Sequence, residues 1–407
     1  MTERPAIAVT GLGAVSGFGW GADRLWDGLR AGRAAMRDFD RFDHTAHRTH
    51  LAAQVPAAPA NGHRRAALAD RFALAAAAEA LDQAGLPPDL SPLGAGVFFG
   101  SSTGGMLESE SYFEELSVQR RSGARIGRLR SQPANAPGDA VARHHRATGT
   151  VQTISSACAS ATLALASALD ALRTGRVEVA LAGGSDSLCR LTFAGFNSLR
   201  SVDPGPCRPF RRGREGLSLG EGAAVIVLET LAGALARGAR PLALLAGAGA
   251  SCDAHHMTAP DPSGAGVARA VRAALADAGL AADDIAFVNA HGTGTPLNDA
   301  AEWQALKTVF GARSAALPVT STKGNLGHFL GSAGAVEAVA TVLGLERREV
   351  HPTPGEGPID GECPVNLVLG APRPLTEAAR AALSVNFAFG GANAALVFTR
   401  ADRPPAA

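Results

Sequence analysis

The sequence has no continuous apolar run of about 18 residues, the length that a membrane-spanning helix requires. It begins Met1-Thr2-Glu3-Arg4-Pro5 and passes directly into the apolar stretch 6–9. A secretory signal would show a basic lead, an apolar region of about 7–15 residues and a small-residue cleavage site, and none of these is present. We therefore expect neither a membrane span nor a secretory leader.

An excess of one charge is also missing. The 38 basic and 37 acidic residues leave a formal charge of +1, and no stretch carries the dense basic face that would neutralise a run of phosphates. Nucleic acid is therefore not an expected partner. Cysteine is sparse, odd in number and without C-x-x-C spacing, which argues against a disulfide framework and a zinc site. We expect no metal and a reducing cytoplasm. The five cysteines are Cys158, Cys189, Cys207, Cys252 and Cys363.

Lysine is nearly absent, since only Lys307 and Lys323 occur among the 38 basic residues. A compact ammonium and a planar guanidinium are not interchangeable. A lysine that persists in so arginine-rich a sequence can mark a position where arginine does not serve. For either lysine taken alone, the competing interpretation is that it is present by chance.

The sequence does have the length and apolar content of a large globular protein. Its 407 residues, 46% of them hydrophobic, predict two packed units or one large duplicated architecture. Short apolar runs alternate with alanine-rich segments such as 69–81 and 268–278, which predicts parallel β-sheet covered by helices. The predicted strands are 6–9, 96–99, 151–154, 177–182, 223–228, 242–245, 285–288, 317–319, 383–385 and 395–398.

The two parts of the sequence resemble each other. The stretches VFFGSSTGG (97–105) and FVNAHGTGT (287–295) each predict a strand that runs into a Gly/Ser/Thr loop. Each is followed later by a reactive residue before a small-residue helix, Cys158 in one case and His328 in the other. We interpret this as an internal duplication joined near residues 230–245, with halves 1–240 and 241–407. Ordinary recurrence of strand and helix is the alternative.

Cys158 lies in the stretch SSACASATLAL. We predict a buried strand at 151–154, N-caps at Ser155 and Ser156, and a helix over 159–172. The positive end of a helix dipole favours a thiolate, so we expect a lowered pKa for the Cys158 thiol. A small hydrophobic core residue is the competing interpretation, and it is the one we adopt for the other four cysteines.

Two histidines lie in glycine-rich turns. His291 follows a predicted strand in NAHGTGTPLND, and His328 stands five residues after Lys323 in TSTKGNLGHFLGSAGAVE. With Cys158, they form a set of the kind used in nucleophilic acyl transfer. In SVNFAFGGANAALVF, Phe387 and Phe389 precede a glycine pair whose exposed backbone amides could serve as an oxyanion hole. Core packing is the ordinary role of such aromatic residues.

Together these stretches resemble the β-ketoacyl-acyl-carrier-protein synthases of the thiolase-like superfamily, specifically the elongating type with a Cys-His-His set. The likeness covers nearly the whole chain, in the order VTGLGAVSGFG, SSACASATLAL, RPF followed by GREGLSLGEGAAVIVLE, DAHHMTAPDPSGAG, NAHGTGTPLND, STKGNLGHFLGSAGAVE and NFAFGGANAALVF. The resemblance implies a duplicated five-layered α-β-α-β-α architecture. It also implies decarboxylative condensation of a malonyl carrier-protein thioester with a Cys-bound acyl chain, in fatty acid, polyketide or polyene biosynthesis.

The resemblance assigns roles to single residues. Cys158 would accept the acyl group, and the backbone amides of Cys158 and Phe389 would form the oxyanion hole. His291 and His328 would bind the malonyl thioester carbonyl and stabilise the enolate, with Lys323 and its partner Glu337 supporting them. No resident cofactor is implied, because phosphopantetheine carries the substrates. The remaining implied substrate contacts are Thr293, Thr295, Thr258 and Phe387, with Phe389 as the gate of the acyl pocket.

The implied partners are an acidic acyl carrier protein and a second ketosynthase-like subunit, in a homodimer or a heterodimer with a chain-length-factor-like chain. Arginine-rich loops then become candidates for carrier docking, although a solvated surface explains them equally well. The candidates are Arg120, Arg121, Arg125, Arg128, Arg130 and Arg208.

Three departures from the family pattern leave the acyl substrate open. Asn298 stands in place of a glycine, Arg211 in place of an aspartate after RPF, and Ala388 in place of a glycine beside the gate. The alternative functions are a non-catalytic chain-length factor, which lacks the cysteine, and a thiolase, which needs a further cysteine in the last glycine-rich motif. An initiating enzyme would carry asparagine where His328 stands, and a pure carrier-binding scaffold would not need the thiol.

Overall fold

A twelve-stranded mixed sheet organises the computed structural model, which describes residues 4–57, 66–120 and 123–402. The long strands are rich in alanine, valine, leucine and isoleucine, which suits a sheet buried on both faces. The strands are β1 (Ile7–Ser16), β2 (Gly19–Trp20), β3 (Arg37–Asp38), β4 (Leu51–Ala53), β5 (Gly96–Gly100), β6 (Val151–Ile154), β7 (Val179–Asp186), β8 (Leu219–Gly220), β9 (Gly222–Thr230), β10 (Ala243–Cys252), β11 (Ile285–Asn289), β12 (Pro318–Thr320), β13 (Glu349–Val350), β14 (Asn366–Leu367), β15 (Arg373–Pro374), β16 (Ala381–Phe387) and β17 (Ala392–Arg400).

Alanine-rich segments form the helices, as their helix propensity predicts. The helix from Leu68 to Ala84 ends at Gly85, which has a left-handed φ of 66° that glycine adopts without strain. The helices are α1 (Ala22–Arg30), α2 (Leu68–Ala84), α3 (Met106–Phe113), α4 (Ala136–His144), α5 (Ser160–Arg173), α6 (Arg190–Ser198), α7 (Leu231–Ala236), α8 (Ala265–Asp277), α9 (Pro296–Phe310), α10 (Thr322–Leu326) and α11 (Ala333–Arg347). None of the helices in the described ranges combines the length and hydropathy that crossing a membrane requires.

The sheet repeats one strand order on either side of its centre. Outward from the central antiparallel pair β1–β10, one side runs β1-β9-β7-β5-β6 and the other runs β10-β17-β16-β11-β12. On both sides the first two pairings are antiparallel and the next two are parallel. The architecture is therefore duplicated. The proposed boundary at residue 240 stays a prediction.

The two sides of the sheet form two layers, with helices between them and on their outer faces. Helices α5 and α11 pack against each other and against strands of both sides, forming the central layer. Helices α2 and α4 cover the outer face of one side, and α8 with α9 covers the outer face of the other. The result is the five-layered α-β-α-β-α arrangement. Its largest apolar core joins α5 and α11 to both sides of the sheet.

Two expectations about the sheet are wrong. The sheet is mixed, with antiparallel strands at its centre, because the duplicated halves join through β1 and β10. Strand β6, expected to be buried, lies at one edge of the sheet, and Val151 is 43% exposed. Its apolar composition resembles that of a buried strand, so composition alone could not identify the edge.

Gly334 of α11 lies where the central helices meet, and a Cβ there would lie 2.0 Å from Thr162 Oγ1 and 2.9 Å from Thr162 N. We predict that Gly334→Ala lowers the free energy of unfolding by about 1–3 kcal/mol, since close-packed helices cannot separate without strain. Urea unfolding measures this. The matched control is Gly195→Ala in α6, where a Cβ has open space, and which should gain about 0.5–1 kcal/mol. Equal stability of the two variants would contradict the tight packing at Gly334.

Candidate active site

Cys158 lies in the tight turn that joins β6 to α5. The preceding residue, Ala157, has φ 42°, an uncommon left-handed conformation for alanine. The helix begins at Ser160, and neither Ser155 nor Ser156 caps it. Instead, Ser160 Oγ accepts the Ser156 N–H at 2.8 Å and donates to Ala157 O. The turn thus places Cys158 at the helix N-terminus, as expected, but by a different capping arrangement.

His291 and His328 come from turns in the other half of the chain. His291 follows β11, where Glu302 of α9 accepts the backbone N–H groups of His291 and Gly292, both at 2.8 Å. Burial raises the pKa of this carboxyl group to about 8, while the backbone donors oppose the rise. His328 follows α10 and Gly327, and its N–H donates to Ser218 O at 2.7 Å. Hydrogen bonds therefore hold the backbone of each histidine in place independently of any contact made by its ring.

The three side chains meet at one point. The sulfur of Cys158 and one ring nitrogen each of His291 and His328 all lie within 4.8 Å of one another. The two imidazole rings are perpendicular, with centroids 5.4 Å apart. All three residues are buried and line one cavity of about 300 Å³. The convergence expected from three positions far apart in the sequence is therefore present.

The backbone determines which nitrogen of His328 carries the proton. The Leu330 N–H donates to His328 Nδ1 at 3.0 Å, so Nδ1 is an acceptor and the proton of the neutral ring is on Nε2. His328 Nε2 is buried and has no hydrogen-bond partner within the described part of the chain. An unsatisfied buried donor is costly, so a substrate atom that accepts from it gains the full benefit of that bond.

The second ring is oriented by side chains. Lys323 Nζ lies 3.0 Å and Asn386 Nδ2 3.3 Å from His291 Nδ1, and both are donors. Nδ1 therefore accepts, and Nε2 carries the proton here too. Glu337 accepts from Lys323 Nζ on one oxygen and from Asn386 Nδ2 on the other, at 2.6 Å for the latter. Lys323 and Glu337 are both about 2% exposed, so this ion pair is fully enclosed.

The surroundings keep both rings neutral. Burial lowers the pKa of His291 well below its usual 6.5, and the charge of Lys323 lowers it further. Burial and Lys323 do the same for the pKa of His328. The site therefore holds two neutral imidazoles whose Nε2–H groups remain donors at neutral pH.

The expectation of a lowered pKa for the Cys158 thiol is wrong. Burial raises the pKa of the Cys158 thiol to about 11, and Glu337 adds to the rise, whereas Lys323 and the backbone N–H groups of Phe389 and Cys158 lower it. Desolvation outweighs the helix terminus because the sulfur is removed from water. The same two backbone donors are those expected to form the oxyanion hole, and both lie within reach of the sulfur.

The remaining predicted substrate contacts line the same cavity, namely Thr258, Thr293, Thr295, Phe387 and Phe389. The hydroxyl groups of Thr293 and Thr295 are 2.9 Å apart. Phe389 is 36% exposed, and its ring lies against that of Phe196, with centroids 5.8 Å apart. Its role as a gate stays a prediction.

Among the residues that the structure describes, Arg120, Arg125, Arg128, Arg130 and Arg208 do not line this cavity. Arg128 forms an ion pair with Glu115 at 2.7 Å, and Arg208 lies 3.8 Å from Asp203. The loop residues Arg120 and Arg125 are exposed, Arg130 is likewise at the surface, and Arg121 lies outside the described residues. Carrier docking by these residues stays a prediction.

Two departures from the family pattern, Asn298 and Ala388, line the cavity and so change its shape. The third, Arg211, is only 7% exposed and donates to Gly357 O at 2.7 Å. It lies outside the cavity lining, and its hydrogen bond joins it to the loop that contains Gly357.

Sequence reasoning missed several buried polar residues that position the site. Asn386 joins Glu337 and His291 and accepts from Thr162 Oγ1 at 2.6 Å. Asp186 accepts N–H groups from Ser102, Thr103 and Ser332, which ties β7 to two loops beside Cys158. Asn386 lies in the stretch NFAFGGANAALVF, and its signal in the sequence was a polar residue within the largely apolar strand Ala381–Phe387.

The sulfur and the two ring nitrogens are also close enough to hold a metal ion. However, coordination through Nε2 would require the proton to move to Nδ1, where Leu330 N–H and Lys323 Nζ already point. A donor facing a donor is repulsive, so these rings suit hydrogen-bond donation rather than ligation. The absence of a resident metal stays a prediction.

A buried thiol, two neutral imidazole donors and an adjacent pair of backbone amides on a duplicated α/β scaffold define a condensing acyltransferase of the Cys-His-His class. The chain matches the Beta-ketoacyl synthase, N-terminal domain, over residues 4–234 and the Beta-ketoacyl synthase, C-terminal domain, over residues 242–355. The chain belongs to the β-ketoacyl synthase family.

Curated relatives match along nearly their full length. Nodulation protein E of Rhizobium meliloti (strain 1021) is 37% identical, covering 96% of this chain and 98% of the relative. Putative polyketide beta-ketoacyl synthase 1 of Streptomyces halstedii is 38% identical, covering 98% of each. The 3-oxoacyl-[acyl-carrier-protein] synthase 2 of Synechocystis sp. (strain ATCC 27184 / PCC 6803 / Kazusa) is 34% identical, covering 98% of this chain and 99% of the relative.

Solved structures share the fold. The ishigamide ketosynthase/chain length factor is 35% identical with a TM-score of 0.92, covering 98% of this chain and 100% of that one. A type II PKS acyl-carrier protein in complex with its ketosynthase bound to the hexaketide, AntDE:AntF, is 26% identical with a TM-score of 0.88, covering 98% of this chain and 100% of that one.

We predict that Lys323→Met destabilises the protein by about 3–5 kcal/mol, because Glu337 would be left as an unpaired buried charge. The double variant Lys323→Met/Glu337→Gln should recover most of this stability yet remain nearly inactive, since His291 Nδ1 would still lack its charged donor. Thermal unfolding and condensation rates measure the two effects. Recovery of activity together with stability would show that the pair is structural only.

Proposed function

We propose that the chain catalyses decarboxylative Claisen condensation of a malonyl carrier-protein thioester with an acyl group held on Cys158. The observation that carries this proposal is the convergence of the Cys158 sulfur with the His291 and His328 nitrogens inside 4.8 Å. The thiol can carry the electrophilic acyl group. The two neutral N–H donors beside it can stabilise the negative charge that develops on the malonyl thioester oxygen.

The first half-reaction transfers the acyl group. The Cys158 sulfur attacks the thioester carbonyl of the acyl carrier, and the carbonyl oxygen becomes negatively charged. The backbone N–H groups of Cys158 and Phe389, which already reach the sulfur, stabilise that charge. The bond from carbon to the pantetheine sulfur then breaks. With a thiol pKa of about 11, the Cys158 proton leaves as the attack proceeds and ends on the departing thiol.

The second half-reaction forms the new carbon–carbon bond. The malonyl thioester oxygen accepts from the Nε2–H groups of His291 and His328. Its carboxylate leaves as CO2, and the bonding electron pair becomes the enolate that the two donors stabilise. One such preorganised donor contributes about 3 kcal/mol. The enolate carbon attacks the acyl carbonyl and the bond to sulfur breaks. The Cys158 thiolate then takes up one proton from solvent, which balances the loss of the malonyl carboxylate as neutral CO2.

The family and the intact Cys-His-His set disfavour the alternative role of a non-catalytic chain-length factor, which lacks the cysteine. We propose that Thr258, Thr293 and Thr295 contact the pantetheine arm and that Phe389 gates the acyl pocket. No resident cofactor takes part in the proposed cycle. The free state of all five cysteines supports a reducing cytoplasm.

The proposed partners are an acyl carrier protein and a second ketosynthase-like subunit. Solved relatives named as a ketosynthase with its carrier and as a ketosynthase/chain length factor support both. The exposed edge strand β6 offers unpaired backbone groups to such a subunit. The second subunit is either identical or a chain-length-factor-like chain, and the product feeds fatty acid, polyketide or polyene assembly.

We predict that wild type gains one acyl mass on incubation with acylated carrier proteins, whereas Cys158→Ala gains none. Intact-mass spectrometry over a panel of acyl chain lengths measures this and also reports the preferred chain. Cys252→Ser is the matched control, because Cys252 is the exposed cysteine and should not affect acylation. Persistent acylation of Cys158→Ala would assign the nucleophile elsewhere.

We predict that Cys158→Gln still releases CO2 from malonyl carrier protein, because the two histidines perform that step. The rate should stay flat from pH 8 down to pH 6, since the pKa of both imidazoles lies well below 6.5 and the rings do not change charge in that interval. Radiometric CO2 release measures it. A half-maximal rate near pH 6.5 would contradict the neutral, shielded histidines, and a complete loss of release would contradict the division of roles.

A further inference from the structure

Asn386 lies on β16 with its side chain fully buried. Its amide contacts one side chain from each of three other elements. Oδ1 accepts from Thr162 Oγ1 on α5 at 2.6 Å. Nδ2 donates to Glu337 Oε2 on α11 at 2.6 Å and lies 3.3 Å from His291 Nδ1. The three contacts use the acceptor and both donor hydrogens of the amide.

The neighbours determine the orientation of this amide. The Glu337 carboxylate only accepts hydrogen bonds, so the amide atom 2.6 Å from it must be the NH2 group. A flipped amide would set Oδ1 against that carboxylate, and a buried acceptor that faces another acceptor is costly. The NH2 group of Asn386 therefore also faces His291 Nδ1.

Lys323 does not orient the imidazole ring by itself. Its ammonium is a point charge with three rotating hydrogens, and it is shared between His291 Nδ1 and Glu337 Oε1. The planar amide of Asn386 is instead anchored at both ends, by Thr162 and by Glu337. It approaches Nδ1 from a different element, and two donors from two directions restrict rotation of the ring.

The amide also leaves the charge of the site balanced. One ammonium, that of Lys323, faces one carboxylate, that of Glu337. The other titratable side chains near His291 are His328, Cys158 and, at its backbone N–H, Glu302. Asn386 supplies a further donor here without adding a charge.

We propose that Asn386 is a positioning residue for decarboxylation, a role that rests on the proposed function. Its N–H keeps His291 Nδ1 an acceptor and holds the ring so that Nε2–H faces the malonyl thioester oxygen. A donor held in this direction stabilises the enolate more than the substrate, because the charge develops only as CO2 leaves. Asn386 does not line the cavity, so it acts through the ring of His291.

The test replaces the amide by a carboxylate of nearly the same shape, Asn386→Asp, in Cys158→Gln protein, whose CO2 release from malonyl carrier protein is measured radiometrically. The added buried carboxylate takes up a proton, and the site gains an unbalanced negative charge when that proton leaves. Such a charge opposes the enolate. We therefore expect the rate to fall about tenfold as the pH rises from 6 to 8, an interval in which the Cys158→Gln parent stays flat.

Asn386→Ser keeps the test decisive if Asn386→Asp does not fold. A serine retains a donor and adds no charge, but it is too short to span Thr162, Glu337 and His291 together. In protein with Cys158 intact, we expect it to lower kcat of condensation about tenfold and to leave KM for malonyl carrier protein within about twofold, since ring orientation matters most as charge develops.

Asn393→Asp is the matched control. Asn393 is buried on the neighbouring strand β17, and its Nδ2 likewise donates to a carboxylate, Asp253 Oδ1, at 2.7 Å. Its other hydrogen bonds within the described ranges go to Ser251 and Gly391, and none goes to a catalytic histidine. The pH profile of CO2 release should therefore stay flat in this variant, even if it is less stable.

An Asn386→Asp profile as flat as that of Asn393→Asp would overturn the positioning role. A wild-type kcat for Asn386→Ser would overturn it too. If the Cys158→Gln parent releases no CO2 at any pH, the proposed function itself is refuted.

Discussion

The enclosed ion pair of Lys323 with Glu337 is the interaction on which the chemistry depends. It is poor as a source of stability, because two charges lose their hydration when they are buried. Its role is to orient the hydrogen-bond donor that faces His291. Glu337 holds the ammonium in place, the ammonium points a proton at His291 Nδ1, and the ring must then present Nε2–H to the cavity. An arginine could not fit this role, since its planar fork would not act as a compact point donor between two groups.

The duplicated sheet explains how distant parts of the sequence share one site. The turn after β6 carries Cys158, and the turns after β11 and near α10 carry the histidines. Because both halves place such turns beside the central helices α5 and α11, the reactive groups meet between the halves. The small residues of this layer, among them Gly334 against Thr162, allow the close approach. The second copy of the architecture thus supplies the imidazoles that the first copy lacks.

Most strands and helices and the three reactive residues could be predicted from the sequence. All ten predicted strands exist, and the helices at 69–81 and 268–278 appear as Leu68–Ala84 and Ala265–Asp277. Strand direction was not accessible, because an apolar run has the same composition in parallel and antiparallel pairs. The prediction of a lowered pKa for the Cys158 thiol was wrong for a related reason. A helix terminus can be recognised in the sequence, but the burial that outweighs its effect on the pKa depends on the tertiary structure. The contacts of Asn386 likewise depend on side chains brought from three separate elements.

Phe389 contributes two parts to the site, a ring that lines the cavity and a backbone N–H that reaches the sulfur. Because ring and amide belong to one residue, a change in the backbone torsions of Phe389 would displace both together. If Phe389 is the gate that the family resemblance implies, the cavity could not open by a backbone movement there without drawing one oxyanion-hole donor away from the sulfur.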